Sequence, residues 1–254
     1  MQKTSSGFFL SHRFWRRLRN LLPGHLWSWA YSLRERFLSK VFIRDLMAAV
    51  ASDKQDALGN DSGSEPDVRT LETFWRDYEA VGKGESGYGP IYAEIIRDLP
   101  SVSNVLEIGV LGGGSHRAWA ALFPQASIFG LDIDPAYVIE DGRIQTYVAD
   151  QLRVDQLLAV AQKMASSFEL VVDDGWHQPE AGLKSLSVFL PRLAPGGYFV
   201  VEDIDWQKYR RIWKKAILGL ADQYQVSLRV LDTDASRKAV GGPYGMVVIR
   251  RLRG

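Results

Sequence analysis

What most constrains this chain is a set of short apolar runs that stop in acid. Phe168-Glu169-Leu170-Val171-Val172 runs into Asp173-Asp174-Gly175-Trp176-His177, and Tyr198-Phe199-Val200-Val201 runs into Glu202-Asp203-Ile204-Asp205. Apolar runs this short, bounded by Gly and Pro, read as strands of a parallel sheet buried on both faces. An open α/β sheet binds its ligands at the carboxyl ends of its strands. Both acidic clusters lie there, so their oxygens and one imidazole should converge on one crevice. Crowded carboxylates repel each other unless a cation joins them. A hard divalent metal held by oxygen meets that need.

Another strand end carries glycines instead. Val105-Leu106-Glu107-Ile108 leads into Gly109-Val110-Leu111-Gly112-Gly113-Gly114-Ser115. This reads as a strand, a tight turn and a helix over about 115–122, with Ser115 as N-cap. Glycines at 109 and 113 let a ligand approach the backbone closely. His116 stands at the helix start, beside that turn. The next run, Ser127 to Leu131, ends in Asp132-Ile133-Asp134-Pro135. An acid roughly 20 positions after the glycines suits the two hydroxyls of a ribose. The dinucleotide fingerprint G-x-G-x-x-G is not met, because position 111 is Leu. Tyr147-Val148-Ala149-Asp150-Gln151 reads as a further strand. Its Asp150 either faces an adenine amine or caps a helix over 154–166.

The Glu107-x-Gly109 start resembles the first motif of class I S-adenosylmethionine methyltransferases. The full series is similar to the metal-dependent O-methyltransferases of the macrolide-sugar and aminocoumarin-sugar type, related to the cephalosporin-hydroxylase-like group. Five motifs carry the likeness, in order: Leu106 to Ser115, Gly130 to Pro135, Asp150-Gln151, Val171 to His177, and Leu193 to Asp203. Upstream, Gly84 to Tyr92 resembles the family's H-G-Y-x-x-x-Y segment. The likeness covers about residues 70 to 252. Two positions depart from the pattern: Trp176 replaces a small residue, and Gly87-Tyr88 lacks the preceding His. Both bear on substrate shape.

The resemblance implies a Rossmann-like class I methyltransferase sheet, mostly parallel with an antiparallel C-terminal hairpin strand. It implies S-adenosylmethionine as methyl donor, Mg²⁺ as metal, and a sugar hydroxyl of a glycan or glycosylated metabolite as acceptor. Glu107, Gly109, Gly113, Ser115, Asp132, Asp150, Gln151 and Asp173 are the expected cofactor-side residues. Asp174, Glu202 and Asp203 are the expected metal ligands, with His177 and Asp174 as the catalytic pair. After Asp205, a charged amphipathic helix is predicted over 207–224, then strands over 226–232 and 244–251.

Composition fits one α/β domain over 70–254 with an appendage. The chain has 254 residues, is 46% hydrophobic and holds no Cys. That excludes a disulfide framework, a thiol nucleophile and a Cys-rich zinc site, and fits a reducing cytoplasm. Net charge is +1, but residues 1–50 hold nine Lys and Arg against Glu35 and Asp45, a local +7 that leaves −6 for the rest. The same segment is rich in Phe and Trp, and Pro23-Gly24 divides it into two predicted helices. Phe14, Leu18, Leu21 and Leu22 recur at helical spacing among Arg13, Arg16, Arg17 and Arg19. This is the composition of a helix lying on anionic lipid, here the inner membrane surface. Packing on the catalytic domain, packing on a second copy in a homo-oligomer, and an Arg-rich targeting sequence are the other readings. Residues 51–69 read as a flexible linker, and 71–81 as a helix covering one sheet edge.

Two further functional readings stay open: a membrane-associated scaffold on a degenerate methyltransferase fold, and a metal-dependent oxidoreductase of hydroxylase type. An iron site of two His and one carboxylate would favour the latter, yet only His177 lies near the acids. The acidic remainder and the absence of a recognisable RNA-binding module argue against nucleic acid as a partner.

Overall fold

The computed structural model describes residues 71, 75–80, 83, 87–99, 101–220, 223–231 and 242–253. The expected N-terminal extension (1–50) and linker (51–69) lie outside them. The strands are β1 (Asn104–Ile108), β2 (Ser127–Asp132), β3 (Glu140–Asp141), β4 (Ile144–Val148), β5 (Phe168–Asp173), β6 (Leu193–Asp205), β7 (Tyr224–Leu231) and β8 (Tyr244–Arg251). The helices are α1 (Gly89–Asp98), α2 (Gly114–Leu122), α3 (Val154–Ala161), α4 (Pro179–Phe189) and α5 (Trp206–Ile217).

The strands form one sheet in the order β3-β4-β2-β1-β5-β6-β8-β7. β4, β2, β1, β5 and β6 run parallel. β8 inserts antiparallel between β6 and β7, which gives the expected C-terminal hairpin. The two-residue β3, antiparallel to β4 at the far edge, has no apolar run to announce it.

Side chains alternate faces along a strand, and the register aligns that alternation across the sheet. Glu107 lies beside Val172, and Val172 beside Val200. Val105, Leu170, Val172, Tyr198 and Val200 therefore share one face, and all belong to the main hydrophobic cluster. Trp75, Tyr92 of α1 and Trp119 of α2 cover it. Trp75 meets Tyr92 edge-on at 5.4 Å and Trp119 edge-on at 6.2 Å. Each such pair contributes about 0.5–1.5 kcal/mol beyond the area it buries. On the other face α4 packs against β5, β6 and α3.

Three element ends differ from the sequence expectation. Ser115 is not the cap of α2; Gly113 holds that position at φ +73°, and Ser115 is buried in the first turn. Asp150 does not cap α3 either. Arg153 stands at that position, and Asp150 instead accepts from Leu152 N through Oδ1 at 2.9 Å, closing a local turn. α5 stops at Ile217 rather than 224. Asp205 caps its start, accepting from Lys208 N at 3.0 Å. Tyr209, Trp213 and Ala216 face inward, while Lys208, Arg210, Arg211, Lys214 and Lys215 are exposed.

His116 lies in the first turn of α2, at the helix start as expected. It is fully buried, with neither ring nitrogen hydrogen-bonded, and its Nδ1 lies 3.8 Å from Glu107 Oε2. Gly130 of β2 makes room for the ring: a Cβ there would sit 2.4 Å from His116 Nε2 and 2.7 Å from Thr146 Cγ2. Gly130→Ala is expected to lower the unfolding free energy by about 1–3 kcal/mol, the usual cost of overpacking a core. At Gly112 a Cβ would meet nothing within 4 Å. Gly112→Ala is the control and should stay within about 0.5 kcal/mol of the parent in urea unfolding.

Burial holds the His116 pKa below its ordinary 6.5; Glu107 opposes this, and Lys83 and Arg117 add to it. The folded chain keeps the ring neutral where the unfolded chain takes up a proton. The associated stability is complete above about pH 6.5 and is lost as pH falls below it, with a slope of at most about 1.4 kcal/mol per pH unit. Urea unfolding at stepped pH from 7.5 to 5 should therefore be steeper for the parent than for His116→Asn. Equal slopes would show that His116 contributes nothing to acid sensitivity.

Candidate active site

The carboxyl ends of β1, β5 and β6 meet where α1 begins, and alternation decides which acids face each other. Glu107 of β1, Asp174 just after β5 and Glu202 of β6 fall on the face covered by α1 and α2. Asp173 falls on the α4 face. Consecutive acids in Asp173-Asp174 therefore have separate roles.

At the centre on the α1 side lies Lys83, only 2% exposed. Its Nζ stands 2.6 Å from Glu202 Oε2, 2.9 Å from Asp174 Oδ2 and 3.1 Å from Glu107 Oε1. Burial by itself would lower the lysine's pKa. Asp174, Glu107 and Glu202 more than offset that and hold it well above the ordinary 10.5. Tyr92, fully buried on α1, donates its hydroxyl to Glu202 Oε1, and Tyr88, at the α1 N-cap, donates to Asp203 Oδ1. Burial and the neighbouring Glu202 push both phenols above their usual range, so they stay protonated as donors.

The chain changes course at Asp203. The pairing of β6 with β8 slips between Val201 and Ile204, and Asp203 adopts φ +51°. The second acidic cluster thus sits within β6, at a bulge, and not beyond the strand. A bulge re-aims the side chain it carries. His177 is likewise left-handed, at φ +34°. Asp and His are among the residues that tolerate this region best. The two backbone excursions bring His177 Nε2 to 4.0 Å from Asp203 Oδ2. Among the described residues, Asp174, His177 and Asp203 offer ligand atoms within 4.8 Å of one another. Their side chains are 24%, 41% and 28% exposed, so this group opens to solvent while Glu202, 1% exposed, lies behind it.

The expected metal acids are therefore gathered at one place but not as equals. Glu202 gives both oxygens to Lys83 and Tyr92, and His177 joins the open group in its stead. The group fits a hard divalent cation: among the described residues the carboxylates outnumber the ammonium of Lys83, and two of them face the opening.

The expected cofactor-side residues divide similarly. Asp132 accepts from Val110 N (2.9 Å) and Leu111 N (3.2 Å) through Oδ2 and from Asp134 N (2.9 Å) through Oδ1. It braces the glycine turn, with Leu111 held at φ +48°. Gly109, at φ +95°, is required by the fold itself, since a Cβ there would sit 2.2 Å from the Asp174 carbonyl oxygen. A Cβ on Gly113 would strike Ile139 Cδ1 at 2.1 Å. Gly112 is the open glycine of the turn, where a ligand can meet bare backbone.

Glu107, by contrast, is fully buried, accepting from Trp119 Nε1 at 2.8 Å. Gln151 and Asp173 are engaged with each other: Gln151 Nε2 donates to Asp173 Oδ1 and Oδ2 at 2.7 and 2.9 Å. Gln151 Oε1 accepts from Trp176 N at 3.0 Å. This pair fixes the loop that carries Asp174 and His177. Burial raises the pKa of Asp173, against the hydrogen bonds from Gln151 and Ser185. Sequence reading missed Lys83 altogether. A lone Lys among glycines carries no periodic or positional signal, and its partners lie 24 to 119 residues away.

Comparison with known proteins agrees with the geometry. Residues 106–204 match the methyltransferase-domain family model. Over 130 residues the chain is 35% identical to mycinamicin VI 2''-O-methyltransferase of Micromonospora griseorubida. Over 112 residues it is 38% identical to demethylmacrocin O-methyltransferase of Streptomyces fradiae. These stretches take in 48% and 41% of this chain but only 32% and 28% of those proteins, so the chain matches about a third of their length. Among solved structures, the MycE methyltransferase of the mycinamycin biosynthetic pathway, in complex with Mg, SAH and mycinamycin VI, superimposes with a TM-score of 0.55 at 25% identity. That match covers 74% of this chain and 55% of the other. Fold, strand-end motifs and relatives point the same way: residues 106–204 match a methyltransferase domain.

Proposed function

We propose that the chain transfers a methyl group from S-adenosylmethionine to a sugar hydroxyl of a glycosylated small molecule, with a divalent cation at the strand ends. The observation that carries this is the open group of Asp174, His177 and Asp203 beside the braced glycine turn. Relatives include a mycinamicin VI 2''-O-methyltransferase and an 8-demethyl-8-alpha-L-rhamnosyl tetracenomycin-C 2'-O-methyltransferase, and the MycE structure holds Mg and SAH. When bound, the sulfonium cofactor supplies the methyl group, and the cation supplies charge that favours ionisation of the acceptor hydroxyl.

The chain's own groups divide the remaining work. Asp174 and Asp203 present oxygen ligands at the opening, with Glu202 behind them. Mg²⁺ commonly takes one or two carboxylates and keeps its other positions for water and substrate. His177, exposed and without a backbone tie on Nε2, accepts the hydroxyl proton at that nitrogen. Asp203, 4.0 Å away, then faces the imidazolium that results. In-line geometry and a correctly placed base provide most of what methyl transfer asks of a protein. Leu111, Ile133, Val148 and Trp176, all 42% exposed or more, stand at the ends of four strands and give the opening an apolar rim. Trp176 lies between the two proposed catalytic residues and suits the flat apolar face of a sugar ring.

Methyl transfer to a rhamnosylated or related macrolide-type acceptor should stop in EDTA and return with Mg²⁺. Asp174→Asn should lower turnover by at least roughly a hundredfold while calorimetry shows unchanged S-adenosylmethionine affinity. Full turnover in chelator would remove the cation from the mechanism.

We further propose peripheral attachment to an anionic membrane. The +7 of residues 1–50 supports it, as do the five exposed cations of α5 with Leu218, 85% exposed, just beyond. Among the described residues, no helix is long and apolar enough to cross a membrane. The chain should sediment with vesicles containing phosphatidylglycerol, less with phosphatidylcholine alone, and less at high salt. A segment of this charge contributes on the order of 1 kcal/mol per cation near the surface. Equal sedimentation by the full chain and by a variant lacking residues 1–50 would exclude that segment as the anchor.

A further inference from the structure

The metal reading above leaves one group unused, and it is the most buried cation at the site. Lys83 Nζ touches Asp174 Oδ2 at 2.9 Å and Glu202 Oε2 at 2.6 Å. Asp174 is also one of the carboxylates of the open group. A monovalent ammonium therefore already sits against oxygens that a divalent ion at the opening would draw upon. We propose that Lys83 is the built-in counter-cation of the metal centre, a positioning residue that competes with the divalent ion for Asp174 and Glu202 and so sets its affinity.

Three observations support this over a purely structural tie. First, Lys83 bridges the ends of three different strands through Glu107, Asp174 and Glu202. With the ammonium in place, those acids stay ordered and partly neutralised whether or not a metal is present. Second, burial is graded. Lys83 and Glu202 are 2% and 1% exposed, whereas Asp174 and Asp203 are 24% and 28% exposed. The ammonium approaches the shared carboxylates from inside the fold, leaving the outer side for an ion that enters from the opening. Third, Tyr92 holds Glu202 Oε1 and Lys83 holds Oε2. A divalent ion drawn to Glu202 Oε2 would share that oxygen with the ammonium, and like-charge repulsion sets the two cations against each other.

The inference rests on the metal reading, and its test separates the two. Mn²⁺ serves as probe, with its free aqueous signal followed by electron paramagnetic resonance on the full chain without methyl donor. Lys83→Met should bind Mn²⁺ roughly tenfold more tightly than the parent, because a unit positive charge a few ångströms from the ion is removed. Lys83→Arg keeps the charge and should stay within about threefold of the parent. Circular-dichroism melts establish folding. Removing one member of a buried ion group destabilises, whereas removing opposite charges together is tolerated. Should Lys83→Met fail to fold, Lys83→Met in a Glu202→Gln background is compared with Glu202→Gln alone. Tightening is expected there too, by a smaller factor, because Asp174 remains. Unchanged or weaker Mn²⁺ binding on loss of Lys83, in whichever folded background, overturns the role proposed for it. No Mn²⁺ binding by the parent overturns the metal reading itself, and this inference with it.

Discussion

The site depends on one electrostatic constraint: Glu107, Asp174 and Glu202 converge on a single buried ammonium. The sheet register brings the three carboxylates to the same face. Three carboxylates so close together, two of them nearly sealed from water, would not share that space unaided; burial pushes the Glu202 pKa well above its usual range, Lys83 opposes that, and the neighbouring acids add to it. In a medium of low effective dielectric their mutual repulsion would shift pKa values or open the fold. Lys83 answers that repulsion from a segment outside the sheet, and Tyr92 of α1 answers it again with a phenolic donor to Glu202. The elements upstream of β1 therefore complete the strand-end crevice, where a view of the sheet alone would make them a lid over one edge.

The same constraint explains the division of labour among the acids. Asp173 and Asp174 are neighbours in sequence and opposites in role because strand alternation sends them to different faces. Asp173, with Gln151, anchors the loop from the α4 side. Asp174 is left to face the opening. At β6 the alternation would send Glu202 toward Lys83 and Asp203 to the far face, toward α4. The bulge and the left-handed φ at Asp203 break that alternation and turn a second carboxylate toward the opening. Backbone excursions at Asp203 and His177, two residues able to bear them, are the local distortions from which the open group is built.

Much of this was legible in the sequence because it is local. Apolar runs of five or six residues ending in acid or glycine mark buried parallel strands, and the ligand end follows from strand direction. The parallel sheet and the crevice with Asp174, His177 and Asp203 follow from that reading; the antiparallel C-terminal hairpin is what the family resemblance implies. What was not legible depends on contacts distant in sequence or on which face a side chain takes. Glu107 reads as a cofactor residue from its place before Gly109, yet alternation buries it against Trp119 and Lys83. Gln151 reads likewise, and in the fold it spans to β5. Gly109 and Gly113 read as ligand glycines, yet the close Asp174 carbonyl also demands Gly109, and the left-handed φ of +73° also favours Gly113. A glycine pattern alone cannot separate the two causes, because both ask only for a missing Cβ.

That ambiguity bears on how the sheet keeps the end of its glycine turn open. The turn after β1 is fixed from below by Asp132, which accepts from the amides of Val110 and Leu111. It is fixed from the side by the close passage of the Asp174 carbonyl over Gly109. One strand-end acid thus orders the glycine turn, and the carbonyl of another braces the same turn. The glycine turn and the acidic group are consequently mechanically joined: a shift of the β5 end moves both. Positioning a methyl donor and an acceptor oxygen in line requires that their two subsites keep a fixed relation. Under the function proposed above, the direct contact between the β1 turn and the β5 end would supply that relation through backbone, without relying on either ligand to enforce it.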